Sequence, residues 1–428
     1  MKNHKYKTII LFIALFIFNF IINYFTISNN DLIWNYGFCY NVAKGLKMYT
    51  DFNMVITPLY PTIFGLIMKL LGNNTIIFFL SNALLPTIIF MIVYKYYKKS
   101  FIELILLLSF VSNPNYNLLC MTFLFILFVL EDKNKNDYLI GIVLGLVFLT
   151  KSPMGLLTLA SLYYYKDIKK IIKRFIGFII PNLLYIFYFY LNGSLLDYLN
   201  YAFGSIIDFA SDNYRSSFGL LIFIISIIYL IYKYIKKKDI KLLYILFFQI
   251  MSYPIFNLIH ILVSLIPVIF YIVLETENKF YLKYRKFLCL FLICPILSSI
   301  FQYTLLDMKD GTNALKYKRV EAKYVDDAEI IKKNINNLDN TYFVMYESYY
   351  NKLLLGIDIN KYDVMLTGNL GYNGEKNTIK YFDSLSPGTK FLIYREYEGG
   401  QAPKEVYYHI KNNYNHKKSF DKYELYIK

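Results

Sequence analysis

Apolar residues fall into long blocks as far as Phe301, and the gaps between the blocks are short and lysine-rich. Beyond Gln302 the texture is that of water-soluble sequence, with apolar positions in short runs among charged ones. A helix needs about 20 mostly apolar residues to cross a bilayer. The blocks at 8–27, 75–94, 175–192, 217–235, 241–258, 261–274 and 287–301 are predicted spans, some of them shorter than that. Two more blocks, 100–130 and 138–165, are predicted helical hairpins. The first breaks at Asn113-Pro114-Asn115-Tyr116-Asn117 and the second at Lys151-Ser152-Pro153, because proline and asparagine end helices. Residues 28–57 read as a polar loop, and 58–72 as a short interfacial or re-entrant helix.

The pattern predicts a polytopic α-helical membrane protein over 1–301, with about ten or eleven membrane helices, several short or broken. A separate domain follows over 302–428, where helices alternate with strands. Helices are expected near 324–337, 349–357, 375–386 and 402–413. Strands are expected at Thr341–Tyr346, Tyr362–Leu366, Lys390–Tyr394 and Lys422–Ile427. Alternation of this kind predicts a small α/β domain. The glycine-rich stretch Gly368–Gly374 lacks the lysine and spacing of a phosphate-binding loop and reads as a turn.

Charge fixes the orientation. The net charge of +16 suggests nucleic acid at first sight, but residues 1–301 carry +14 of it and the soluble tail only +2. The excess lies between spans, where the positive-inside rule puts it, so nucleic acid is excluded as a partner. The proposed cytoplasmic segments hold 22 Lys and Arg against five outside. That asymmetry predicts a multi-pass plasma-membrane protein with a cytoplasmic N-terminus and an extracytoplasmic C-terminal domain. The run after Lys2, Lys5 and Lys7 has no small-residue cleavage site and reads as an uncleaved first span. Cys39, Cys120, Cys289 and Cys294 are scattered, without metal-ligand company, and read as small buried hydrophobes.

Ionisable groups at a membrane face are functional candidates because burying them is costly. In this topology Asp31, Asp51, Lys151, Arg215 and His260 all reach the outer face, with Asn113, Tyr116 and Asn117 at a hairpin tip. Asp51 also suits a helix cap, Lys151 a snorkelling cation, and Asp197, Asp208 and Asp212 a solvated loop.

An aspartate just after the first span, an amphipathic helix after Pro58-Leu59, Thr150-Lys151 at a helical break, Pro254 followed by His260, and a soluble domain after the last span form one set. The set resembles the GT-C glycosyltransferases, and among them the bacterial protein-mannosyltransferase and aminoarabinose-transferase type. The resemblance covers most of 8–301, and the stretch Tyr49–Leu59 is its most specific part. It implies transfer of a sugar from a polyprenyl-phosphate donor to a glycan, lipid or protein acceptor on the outer face. Asp31 would then be the general base, with Asp51 the second acid. Lys151 would meet the donor phosphate, helped by His260 or Arg215, with Asn113, Tyr116 and Asn117 on substrate. Here Leu32, not a second acid, follows Asp31, and Ser152 stands where relatives carry glutamine. The sugar and any divalent cation are therefore left open, and no metal-ligand set is identified. An O-antigen-type ligase or polymerase would need arginines and histidines in a large late loop, where only Arg215 and His260 stand. A lipid-linked sugar flippase would show internal repeats, and none is evident.

Overall fold

The computed structural model describes residues 2–25, 29–97, 114–205, 208, 217–253, 256–275, 303–399 and 402–428. The predicted span 287–301 lies outside them. The chain is mainly helical, with a small sheet region near its C-terminus. The helices are α1 (Lys2–Tyr24), α2 (Asn30–Lys44), α3 (Leu59–Leu71), α4 (Thr75–Tyr97), α5 (Tyr116–Asp132), α6 (Asp137–Thr150), α7 (Leu156–Tyr164) and α8 (Ile168–Leu191). After a short π-helical turn at Asn200–Gly204 come α9 (Ser217–Lys237), α10 (Ile240–Phe248) and α11 (Leu258–Glu275). Four of them, Tyr6–Tyr24, Thr75–Tyr97, Ile168–Leu191 and Ser217–Lys237, are long and apolar enough to cross a membrane. Their outward faces expose Ile10, Ile17, Leu184, Phe187, Ile225 and Ile228, which a water-soluble protein would bury.

The helical ends follow local chemistry. Asn29 caps α2 by accepting from Leu32 N at 2.9 Å, and Asn115 caps α5 by accepting from Leu118 N at 3.1 Å. Lys151 adopts an extended backbone after α6, and a 3₁₀ turn at Ser152–Gly155 leads into α7. The predicted break at Lys151-Ser152-Pro153 is thus present. The polar loop expected over 28–57 is not. Most of α2 is buried, because its apolar positions pack against α3 on one side and the C-terminal region on another.

At the lysine-rich end the helices are tied by one buried cation. Arg174 on α8 donates through Nε to Asp137 at 2.8 Å, and through Nη1 and Nη2 to Glu131 at 2.7 and 3.0 Å. Ser161, Tyr165 and Tyr244 complete the cluster, so five helices share it. The guanidinium reaches these acids because α6 and α8 cross with backbones in contact. A Cβ on Gly141 would stand 2.1 Å from Arg174 O, and one on Gly177 2.2 Å from Tyr138 O. Small residues at a crossing permit that approach.

The C-terminal region holds a hairpin, β1 (Met308–Asp310) with β2 (Arg319–Glu321), and a four-stranded sheet. The sheet uses β3 (Thr341–Val344), β4 (Lys390–Tyr394), β5 (Asn415–Phe420) and β6 (Tyr423–Ile427) in the order β3-β4-β6-β5. The β3–β4 pair is parallel and the others antiparallel. Helices α12 (Ala322–Asn334), α13 (Ser348–Leu355), α14 (Gly374–Ser384) and α15 (Lys404–Asn413) accompany it. The strand expected at Tyr362–Leu366 does not form, because Asp363 is drawn aside to pair with buried Lys352 at 2.8 Å. The hairpin and β5 lie outside the expected strands, and β5 (Asn415–Phe420) is mostly exposed and carries no apolar alternation.

Removing Arg174 leaves two acids unpaired, and breaking a buried pair on one side costs about 3–5 kcal/mol. Arg174→Leu should therefore unfold at a clearly lower temperature in detergent. Glu131→Leu added to it should recover part of the loss, and additive losses in a thermal melt would contradict the coupling.

Candidate functional site

The site assembles at the end of the helices opposite the Arg174 cluster. The Asn29 cap sets the first turn of α2 and with it Asp31, whose carbonyl accepts from Asn35 Nδ2 at 2.7 Å. Asp31 presents accessible surface while protein surrounds it on most sides, as at the floor of an open recess. Burial holds its carboxyl above the ordinary value. The Asn115 cap fixes Tyr116 and Asn117 at the start of α5, and the Asp31 charge is felt at the Tyr116 hydroxyl.

Lys151 enters from the break after α6. Its Nζ donates to Asn117 Oδ1 at 3.1 Å, touches Met251 Sδ at 3.1 Å, and lies 5.4 Å from the centre of the Tyr116 ring. Met251 belongs to a second helix break, the 3₁₀ turn Gln249–Ser252. Asn257 then opens α11, its Oδ1 taking His260 N at 3.0 Å and His260 Nδ1 at 2.7 Å. An acceptor at Nδ1 places the ring hydrogen there and makes Nε2 the lone-pair nitrogen of the neutral ring. Lys151 and His260 are near enough to feel each other's charge.

The structure therefore brings Asp31, Tyr116, Asn117, Lys151 and His260 to one recess. Asp51 stands elsewhere. The length of α2 puts about 20 Å between Asp31 and the turn beyond Lys44. In that turn the Asp51 carboxylate accepts from Lys47 N at 2.7 Å, a local capping role. Asn113 and Arg215 lie outside the described residues. Among the described residues no three His, Cys, Asp or Glu side chains converge to hold a metal ion. Cys39 and Cys120 are free and buried, and the other two cysteines lie outside the described residues.

The C-terminal region supplies a wall that the sequence reading missed. Tyr346 follows β3, its ring edge-on to Trp34 with centroids 5.7 Å apart at 71°. The Asn30 side chain hydrogen-bonds its hydroxyl, which also feels Asp31, Glu347 and Glu398. Tyr346 N donates to Glu398 at 3.1 Å, and Tyr394 OH to Glu347 at 2.8 Å. These residues cluster beyond the carboxyl ends of the parallel pair β3 and β4, where ligands of α/β sheets commonly bind. That signal, together with a lone tryptophan three residues after Asp31, was present in the sequence.

The tail is held in place by backbone as well as side chains. Asn53 donates to Val364 O and Asn369 O at 3.1 and 3.2 Å and accepts from Val364 N at 3.1 Å. Tyr349 bonds Asn41 at 2.6 Å, and its ring occupies the space a side chain at Gly37 would need. Lys318, 2% exposed, donates to the carbonyl of Tyr24 and sits within 5.1 to 5.4 Å of the ring centres of Tyr24, Phe79 and Tyr303.

Comparison with protein-family models, with curated proteins and with solved structures gives no match.

A carboxyl in an open recess with a raised pKa should react with a water-soluble carbodiimide and an amine at mildly acidic pH, about 6. Mass spectrometry should find Asp31 among the most modified acids of the folded protein. An unmodified Asp31 that reacts only after unfolding would close the recess.

Proposed function

We propose that the chain is a multi-pass membrane glycosyltransferase resembling the GT-C type, which moves a sugar from a polyprenyl-phosphate donor to an acceptor on the outer face. The observation that carries this reading is the meeting of an isolated carboxylate and a half-buried cation in one recess. Asp31 reaches it from α2, and Lys151 from a helix break, tied to the same Tyr116–Asn117 turn.

The chemistry uses both groups. The acceptor hydroxyl oxygen attacks the anomeric carbon while the Asp31 carboxylate takes its proton. The bond from that carbon to the phosphate oxygen breaks, and its electron pair stays with the lipid phosphate. The Lys151 ammonium stabilises that anion, and His260 stands near enough to assist. Attack from the side opposite the leaving phosphate inverts the sugar. A lipid-borne donor also accounts for a site at the ends of apolar helices.

The lysine distribution supports the orientation, with the N-terminus and the Arg174 cluster on the cytoplasmic side of the plasma membrane and the sheet region outside. Several lysines at the first of these ends lie over tyrosine rings, Lys133 on Tyr96 and Lys236 on Tyr232 among them, as expected where side chains meet headgroups.

Two measurements test the reading. In membranes supplied with a labelled polyprenyl-phosphate sugar, Asp31→Asn should lower transfer at least about a hundredfold without lowering protein abundance. The wild-type rate should fall as pH drops through an ionisation above the ordinary aspartate value of about 3.9, since the base must be unprotonated. Full turnover in Asp31→Asn would remove Asp31 from the mechanism. The second measurement concerns topology. A cysteine placed at Lys417 should react with an impermeant thiol reagent in intact cells, whereas one at Lys170 should react only after lysis; the reverse pattern would invert the orientation.

A further inference from the structure

The acceptor side of the recess has its own chemistry. Trp34 lies three residues after Asp31 on α2, so the two share a face of the helix. Trp34 and Tyr346 are both half-buried and keep part of their ring surface open beside the carboxylate. Asn35, one turn from Asp31, is 4% exposed, and its Oδ1 has no donor among the described residues. Tyr346 is held on two sides, by Asn30 at its hydroxyl and by Glu398 at its backbone N–H. The aromatic pair is therefore built from two distant parts of the chain and braced in place.

We propose that the acceptor is a carbohydrate without phosphate groups, neutral or aminated, whose ring lies against Trp34 and Tyr346 with one hydroxyl directed to Asp31. This inference rests on the reading of Asp31 as the base. A pyranose offers weakly polar C–H faces to aromatic rings and hydroxyls to carboxylates and amide oxygens, which matches this set of groups. A phosphate-linked polymer would bring negative charge against Asp31 and Glu347, and like charges in a half-enclosed site repel. Trp34 and Tyr346 then set specificity, while Asp31 performs the proton transfer.

Trp34 is the only tryptophan in the chain, so the emission of the purified full-length protein in detergent reports on this site alone. The probe is the pool of glycans released by mild acid from the envelope of cells that carry the protein, separated into phosphate-free and phosphate-bearing fractions. A tryptic peptide pool from the same envelopes serves as a third sample. The phosphate-free fraction should shift the emission saturably. Tyr346→Ala should weaken that titration about tenfold, while Tyr346→Phe, which keeps the ring, should stay within about twofold. Asp31→Asn should retain the titration although transfer is lost, which separates binding from chemistry. Silence with the phosphate-free glycans, a response to peptides or to the phosphate-bearing fraction alone, or an unchanged titration in Tyr346→Ala would overturn the acceptor assignment. An Asp31-dependent transfer accompanied by a silent Trp34 would overturn the assignment and leave the glycosyltransferase reading standing.

Discussion

The close crossing of α6 and α8 at Gly141 and Gly177 is the constraint on which the helical part depends. Only with the two backbones in contact does the Arg174 guanidinium reach Asp137 and Glu131 together. Taking such groups out of water is costly, and the cost is offset only when every donor and acceptor is engaged. Here the planar guanidinium is engaged on both edges and lies 4.0 Å from the centre of the Tyr165 ring. At its other end α6 stops at Thr150, and Lys151 leaves the helix ahead of the turn that holds Pro153. The Arg174 cluster and Lys151 thus stand at opposite ends of α6.

The second determinant is the way the tail is seated. Helix α2 is not long or apolar enough to act as a span, and it would be a poor helix in isolation. It is stabilised between α3 and the tail, through Tyr36 to Ala314 O and Asn41 to Tyr349, and the segment that follows it is held to the tail by the three bonds of Asn53. Most of these are bonds to backbone, so they depend on the tail's fold more than on its surface residues. Lys318 adds a cation at the carboxyl end of α1, where the helix dipole favours one. Asp31 is rigidly placed for this reason, although the sequence around it looks like a loop.

Much of this was legible in the sequence, for identifiable reasons. The Lys151 break was readable because Pro153 and the end of an apolar block coincide. The approach of Asp31, Lys151 and His260 was readable because lysine counts alone put them at one end. The residues Asn30, Asn35 and Trp34 were harder, since polar side chains in α2 hide a helix whose buried face is completed by residues some 300 positions away. The separation of Asp51 from Asp31 was not readable, because the sequence around them does not announce the helix that lies between them. The strand expected at Tyr362–Leu366 misled because its apolar residues do become buried, but around the Lys352–Asp363 pair instead of in a sheet.

The aromatic wall also has a consequence for how the molecule is made. Trp34 and Asp31 leave the ribosome well before Tyr346, Glu398 and the strands that support them, which lie more than 300 residues further along the chain. Until they emerge, α2 has its buried Asn41 and its Gly37 notch without their Tyr349 partner, and the recess lacks its aromatic wall. Such long-range closure is slow relative to local helix formation. A chain that has not yet reached Tyr346 therefore carries α2 without the residues that complete its buried face.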